Sequence, residues 1–165
     1  MSVPKKRTPA VGDHGDVLIR RARLDDLSRV QELDAEVFKD LAYQAFTLRQ
    51  LFDLHAPGWV LAEQGAALVG YSLIAPDFDR STAWLLALGV RSDCRRKKIG
   101  ARLLERSLES LQSVDVKHVT LTVDPGNEHA ITLYKKTGFL VKELQQDYLG
   151  PGEDRLLMRL DLAAR

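Results

Sequence analysis

Apolar residues recur along this chain with two different periods, and the switches between them mark its elements. A short apolar run rich in β-branched residues, Val17–Arg20, predicts a first strand. Leu27, Val30, Leu33 and Val37 follow at the spacing of one helix face, with Asp25 or Asp26 placed to cap it. Thr47 followed by Gln50 has capping-box spacing and predicts a second, short helix through Leu54. Trp59–Glu63 and Leu68–Ile74 read as strands around a Gln64-Gly65 turn. Ala83–Val90 is almost wholly apolar, the pattern of a strand covered on both faces. Leu103, Leu104, Leu108 and Leu111 stripe a helix over Gly100–Gln112, and Val119, Leu121 and Val123 alternate with Thr120 and Thr122 in a strand over Val116–Val123. Asn127 can cap a helix that stops at Gly138, a residue suited to a left-handed C-terminal position. Phe139–Leu149 and Arg155–Leu160 then predict two strands around Gly150-Pro151-Gly152. The order β-α-α-β-β-β-α-β-α-β-β predicts a single α/β sheet domain with helices on both faces.

Composition narrows the setting. Residues 1–16 hold two prolines, two glycines and the Lys5-Lys6-Arg7 cluster, which predicts a flexible basic leader ahead of one domain over 17–165. The chain has 165 residues, with 24 Lys+Arg against 23 Asp+Glu. The net charge of +1 provides no global field to draw the protein to nucleic acid. A lone cysteine, Cys94, excludes an internal disulfide framework and any multi-cysteine zinc site. No apolar run reaches the roughly 18 residues that a membrane span needs. The expectation is therefore a cytoplasmic protein, monomer or homodimer, with neither nucleic acid nor membrane as partner.

One segment concentrates charge. Between Arg91 and Arg106, seven basic side chains (Arg91, Arg95, Arg96, Lys97, Lys98, Arg102, Arg106) face two acidic ones (Asp93, Glu105), a local excess of +5 in a chain of +1. The cluster joins a buried strand ending at Val90 to a helix opening at Gly100. A helix N-terminus leaves main-chain N–H groups unpaired and converging, which suits a phosphate or pyrophosphate. Gly100 and Ala101 are small enough for close backbone approach. The same residues also fit a solvated basic turn that simply starts a helix. Neither G-x-x-x-x-G-K-[ST] nor G-x-G-x-x-G occurs, so neither a P-loop nor a dinucleotide fingerprint is present.

Val90-x4-Arg95-x-x-Lys98-x-Gly100-Ala101 resembles the acetyl-CoA signature of the GNAT superfamily of N-acetyltransferases, Q/R-x-x-G-x-G/A. It departs once, with Lys98 at the first glycine; if that position needs φ > 0, lysine costs about 1–2 kcal/mol. Asn127-x-x-Ala130-Ile131-x-Leu133-Tyr134-x-x-x-Gly138-Phe139 resembles the family's N-x-x-A-x-x-L-Y-x-x-x-G-F block without departure. Asn127, Ala130 and Tyr134 share one helix face, where a small residue lies between two polar tips. The ending Tyr148-x-x-x-Gly152-Glu153-Asp154-x-x-x-Met158 is similar to that of the protein N-terminal acetyltransferases, including the bacterial enzymes acting on ribosomal-protein alanine. Those enzymes are expected to carry a base glutamate five residues before the motif asparagine, and that position is Thr122 here.

The resemblance implies a mixed, mostly antiparallel sheet of about six to seven strands flanked by about four helices. It implies acetyl-CoA as cosubstrate, no metal, and an amine acceptor, either a small molecule or lysine or a protein N-terminus. Its cofactor contacts would be Leu88, Gly89, Val90, Arg95, Arg96, Lys97, Lys98, Ile99, Gly100, Ala101, Asn127, Ala130 and Tyr134. Acetyl transfer needs a neutral amine, a stabilised oxyanion and a protonated leaving thiolate. Tyr134 is the expected general acid, and the main-chain N–H groups of Leu88 to Val90 the oxyanion donors. Glu63, Asp124 and His129 are open candidates for a base. Cys94 lies by the phosphate loop, away from the acetyl end, so no acetyl-cysteine is expected. A catalytically silent acyl-CoA sensor is the alternative reading. A nucleic-acid module fails for want of aromatic residues interleaved with the basic ones.

Overall fold

The computed structural model describes residues 16–79, 81–95 and 97–164. The expected leader therefore lies outside the described residues, except Asp16. Eleven elements follow in the expected order: β1 (Val17–Arg21), α1 (Leu27–Phe38), α2 (Ala45–His55), β2 (Trp59–Gln64), β3 (Ala67–Pro76), β4 (Thr82–Val90), α3 (Ile99–Glu109), β5 (His118–Val123), α4 (Glu128–Thr137), β6 (Leu140–Gln145) and β7 (Arg155–Asp161). The strands form one sheet in the order β1-β2-β3-β4-β5-β7-β6. Every neighbouring pair is antiparallel except β4 and β5, which run parallel. Seven strands and four helices among the described residues match the expected architecture. None of these helices is long and apolar enough to cross a membrane.

Alternation along the strands divides the core. Val119, Leu121, Val123, Met158 and Leu160 point to one face and pack with Leu104, Leu108 and Tyr134 from α3 and α4. Val30, Leu33 and Leu48 from α1 and α2 cover the opposite face over Trp59, Leu61, Tyr71 and Leu73. β3 is buried at eight consecutive positions, as befits a central strand sandwiched between both helix layers. Its buried Ser72 hydroxyl meets that of Ser107 of α3 at 2.7 Å, so the two polar groups satisfy each other inside the core.

Local chemistry differs from the sequence reading at several ends. α2 begins at Ala45 after Gln44, so Thr47 is inside the first turn and no capping box forms. Asp26 precedes α1, but its carboxylate turns back to accept from the Arg23 N–H at 2.8 Å. Asn127 caps α4 as expected, its Oδ1 accepting from Ala130 N–H at 3.1 Å, and Gly138 closes that helix at φ 107°. Phe139 is no strand residue; its N–H returns to Tyr134 O at 3.0 Å and its ring fills the core. β6 stops at Gln145 because Asp147 adopts φ 52° and ties the following turn, accepting from Gly152 N–H at 2.6 Å.

A polar cluster fastens the first strand. The Arg20 guanidinium donates to both oxygens of Asp26 at 2.7 Å and to both of Glu63 at 2.9 Å, while Arg29 donates to Glu63 at 2.8 Å. These charge-assisted bonds join β1, β2 and the start of α1. Arg20 holds the carboxyls of Asp26 and Glu63 well down, each at about 2, from ordinary values of 3.8 and 4.5. Depressed folded-state values make the contribution complete above the unfolded values and progressively lost as pH falls toward the folded ones. The melting temperature should therefore drop as pH falls from about 4.5 to about 2. Glu63→Gln should flatten that stretch of the profile; an unchanged slope in the variant would show that the cluster adds nothing.

Candidate active site

β4 and β5 pair only at Thr82–Trp84 with His118–Thr120. Beyond Trp84 the two strands diverge, and Leu85–Val90 keeps a ladder partner on the β3 side only. The register of β3 against β4 jumps from Leu73–Ala87 to Ile74–Leu85, leaving Leu86 as a bulge at the start of that divergence. A cleft of about 630 Å³ occupies the opening. Val37 and Phe38 at the end of α1 line it from one face of the sheet, and Leu133 and Tyr134 of α4 from the other. α1 reaches β4 closely because position 89 is glycine: a Cβ there would meet the Phe38 ring at 3.0 Å and Val37 at 3.2 Å.

The N-terminus of α3 forms one end of this cleft. Lys98 precedes the helix at φ 59°, ψ 16°, the left-handed conformation anticipated for this position, and no side chain caps the first turn. The first bond back into the helix start is Arg102 N–H to Lys98 O at 3.0 Å. The amides of Ile99, Gly100 and Ala101 thus have no intrahelical acceptor. All three residues line the cleft. A Cβ on Gly100 would press Leu133 at 3.3 Å, so the glycine keeps α3 and α4 close while leaving its own amide clear. This is a donor set suited to a polyphosphate.

The basic residues around it divide. Arg91 pairs with Asp93 at 3.0 Å and Glu36 at 3.7 Å; Arg106 pairs with Glu109 at 3.0 Å; Arg102 donates to Val17 O at 2.9 Å. Arg95 and Lys98 line the cleft, both exposed. Lys97 is exposed and outside the lining, and Arg96 lies outside the described residues. The charge available to a ligand is therefore smaller than the sequence excess implies. Cys94 lies in the same wall, its thiol raised by burial.

Leu88, Gly89 and Val90 of β4 and Asn127, Ala130 and Tyr134 of α4 line the same space, with Val90 3.9 Å from a Cβ built on Gly100. Tyr134 is 7% exposed and stacks obliquely on Phe139 at 5.7 Å. Its hydroxyl forms no hydrogen bond among the described residues. Burial pushes the phenol well above its ordinary range. It stays protonated at neutral pH and can donate a proton, not collect one.

The base candidates fare differently. Glu63 is held by two arginines in β2, two strands from β4. Asp124 is exposed and accepts from Gly126 N–H at 2.7 Å in the turn before α4. His129 lines the cleft. Thr122 is half-buried opposite Leu157, on the sheet face away from α4. Sequence reasoning missed Val37 and Phe38, whose apolar character at a helix end reads simply as core. No group of three or more His, Cys, Asp or Glu residues that could hold a metal occurs among the described residues.

Comparison with known proteins identifies the family and the fold. The model of the Acetyltransferase (GNAT) family matches residues 21–139, and the chain belongs to that family of acyltransferases. An N-alpha-acetyltransferase of Sulfurisphaera tokodaii is 28% identical over 155 residues, covering 87% of this chain and 92% of the relative. A putative [ribosomal protein bS18]-alanine N-acetyltransferase of Bacillus subtilis is 26% identical over 141 residues, covering 85% and 92%. Among solved structures, the ribosomal-protein-S18-alanine N-acetyltransferase from Escherichia coli superposes with a TM-score of 0.76 at 21% identity, covering 89% of this chain and 94% of that one. Arabidopsis thaliana Naa50, in complex with a bisubstrate analogue CoA-Ac-MVNAL, gives 0.74 at 21% identity over 88% and 99%.

Lys98 offers a direct test of the helix-start geometry. Lys98→Gly removes left-handed strain and should stabilise the fold by about 1 kcal/mol net of glycine's extra chain entropy. That is about 2–4 °C in melting temperature at this size. The lost cation should weaken acetyl-CoA binding a few-fold and make it less salt-sensitive. A variant that melts lower, followed by scanning calorimetry, would contradict the strain assignment.

Proposed function

We infer that this enzyme transfers the acetyl group of acetyl-CoA to the free α-amine at the start of a polypeptide, by direct attack with both substrates bound. The observation that carries this reading is one cleft lined both by the uncapped α3 amides and by the buried, protonated Tyr134. The amides of Ile99, Gly100 and Ala101 suit the pyrophosphate, with Arg95 and Lys98 adding charge at the rim. The narrow face beside Ala130 suits the pantetheine arm. Main-chain N–H groups of Leu88 and Val90, which alternate with the β3-facing amide of Gly89 along the part of β4 with no strand on its β5 side, suit the thioester oxygen as it gains charge. The amine nitrogen bonds to the acetyl carbon, the carbon–sulfur bond breaks, and the thiolate takes the Tyr134 proton. The amine proton leaves to water.

Three considerations favour an α-amine over lysine. An α-amine has a pKa near 8 against about 10.4 for lysine, so a site without an assigned base can use it more readily. The curated relatives named above act, by their names, on protein N-termini. The β6–β7 turn also presents exposed Tyr148 and Leu149 for contact with a peptide. Thr122, where a glutamate base was expected for the ribosomal-protein enzymes, supports a different acceptor from theirs. The test is CoA release with heptapeptides starting Ala, Ser or Met, with an N-blocked peptide carrying an internal lysine, and with small amines. Acetylation of the lysine peptide alone would overturn the α-amine reading.

Tyr134→Phe should lower kcat by about 10²–10⁴-fold, the usual worth of a general acid. Acetyl-CoA affinity should hold, because the ring and its packing on Phe139 remain. Melting temperature should also hold, since the hydroxyl makes no bond that the fold would lose. Full turnover in this variant would make Tyr134 a packing residue and leave bound water as the proton donor.

A further inference from the structure

Asp34 is buried completely, on the sheet-facing side of α1, and no cation is paired with it among the described residues. A carboxylate so placed is costly unless its oxygens are matched to donors. Here they are. The Tyr71 hydroxyl of β3 donates to Oδ1, and the Tyr43 main-chain N–H donates to Oδ2 at 2.6 Å. Burial raises the Asp34 carboxyl above its ordinary value, the two donors opposing that rise.

What those donors belong to gives the carboxylate its importance. Tyr43 lies in the 39–44 segment that joins α1 to α2, and its hydroxyl donates to the carbonyl of Leu86, the bulge residue of β4, at 3.4 Å. Tyr71 stacks on Trp59 at 5.9 Å and meets the Phe38 ring edge-on at 6.4 Å. Phe38 in turn abuts Gly89 and lines the cleft. The carboxylate is thus the junction of two arms, one reaching the β4 bulge and the other the cleft wall.

We propose that Asp34 is a positioning residue that fixes the α1–α2 segment and the Val37–Phe38 wall against β4, setting the approach of the acceptor amine to the acetyl group. The inference rests on the reading of the cleft given above. Asp34 touches neither substrate. It acts through Tyr43 and Tyr71, and the α3 amides that hold the pyrophosphate lie outside its reach. Its loss should therefore separate acceptor kinetics from acetyl-CoA affinity.

The conservative change and the deletion differ usefully. In Asp34→Asn, the amide oxygen can accept from Tyr43 N–H while its NH₂ donates to the Tyr71 hydroxyl, which can also accept. In Asp34→Ala both Tyr43 N–H and Tyr71 O–H lose their partner. The experiment measures kcat and KM with an Ala-starting heptapeptide, acetyl-CoA Kd by calorimetry, and amide hydrogen exchange, on wild type, Asp34→Asn, Asp34→Ala and Tyr71→Phe. Asp34→Ala should raise the peptide KM at least tenfold, speed exchange of the amides of residues 39–44 at least tenfold, and keep acetyl-CoA Kd within twofold. Asp34→Asn should stay within threefold of wild type on all three. Tyr71→Phe, which leaves the α1–α2 segment attached, should show the same direction with a smaller change.

Wild-type KM and kcat in Asp34→Ala would overturn the proposal. So would a loss of acetyl-CoA binding in step with faster exchange throughout the sheet, which would mark general destabilisation. If Asp34→Ala does not fold, Tyr71→Phe decides alone, and an unchanged peptide KM in it counts against the proposal. Failure of the functional reading is distinguishable, because it appears in the wild type as no acetyl-CoA binding or no acetylated peptide.

Discussion

The three-residue parallel seam between β4 and β5 is the constraint from which the rest of the molecule takes its shape. Strands normally satisfy their main-chain polar groups along their whole length. Here Thr82–Trp84 alone joins His118–Thr120, after which β4 carries on with neighbours on one side only. A sheet that parts in its middle needs something else to hold its halves. α3 does this, packing Ile99 and Leu103 against β2 and β3 while Leu104 and Leu108 join the core of β5 and β7. The Ser72–Ser107 bond adds a directional tie at the centre of that contact. The opening and its closure by α3 are one design, and α3 therefore starts at the mouth of the cleft.

Opposite α3, polar side chains tie the sheet to α1. Asp34, Tyr71 and Tyr43 run from α1 through β3 to the β4 bulge, and the Arg20 cluster clamps β1, β2 and the start of α1. Both arrangements join segments distant in sequence through fully matched donors and acceptors, which makes them specific in geometry. They are not equivalent. The arginine cluster lies at the sheet edge and serves stability, while the Asp34 junction borders the cleft.

The order of elements was legible because apolar period depends on local geometry, and the seven strands and four helices each leave that imprint. Ends were less legible. Thr47 and Gln50 have the right spacing for a capping box, but the chain enters α2 three residues earlier, with Gln44 as N-cap, after Tyr43 is anchored to Asp34. Of the site, the α3 start and the Asn127–Tyr134 face were readable because main-chain demands fix residue type: a small residue where backbone must approach, an asparagine where a helix must be capped. Glu63 could not be dismissed as a base from sequence, since Arg20 and Arg29 are 43 and 34 residues away along the chain. Asp34 gave no signal either. An acid beside a core leucine in an amphipathic helix reads as a solvent-facing neighbour, and only the folded chain shows Tyr71 and Tyr43 converging on it.

Lys98 shows how a signature can erode while its geometry persists. Three amides at the start of α3 depend on a left-handed residue before them, and the backbone there adopts φ 59° with a lysine in place of glycine. What the start of the helix requires at this position is a torsion, and lysine here supplies it. The lysine has a consequence of its own: it places an ammonium group at the mouth of the cleft, where glycine would leave open space. A search pattern that demands glycine there would pass over this chain, although its backbone makes the same left-handed turn.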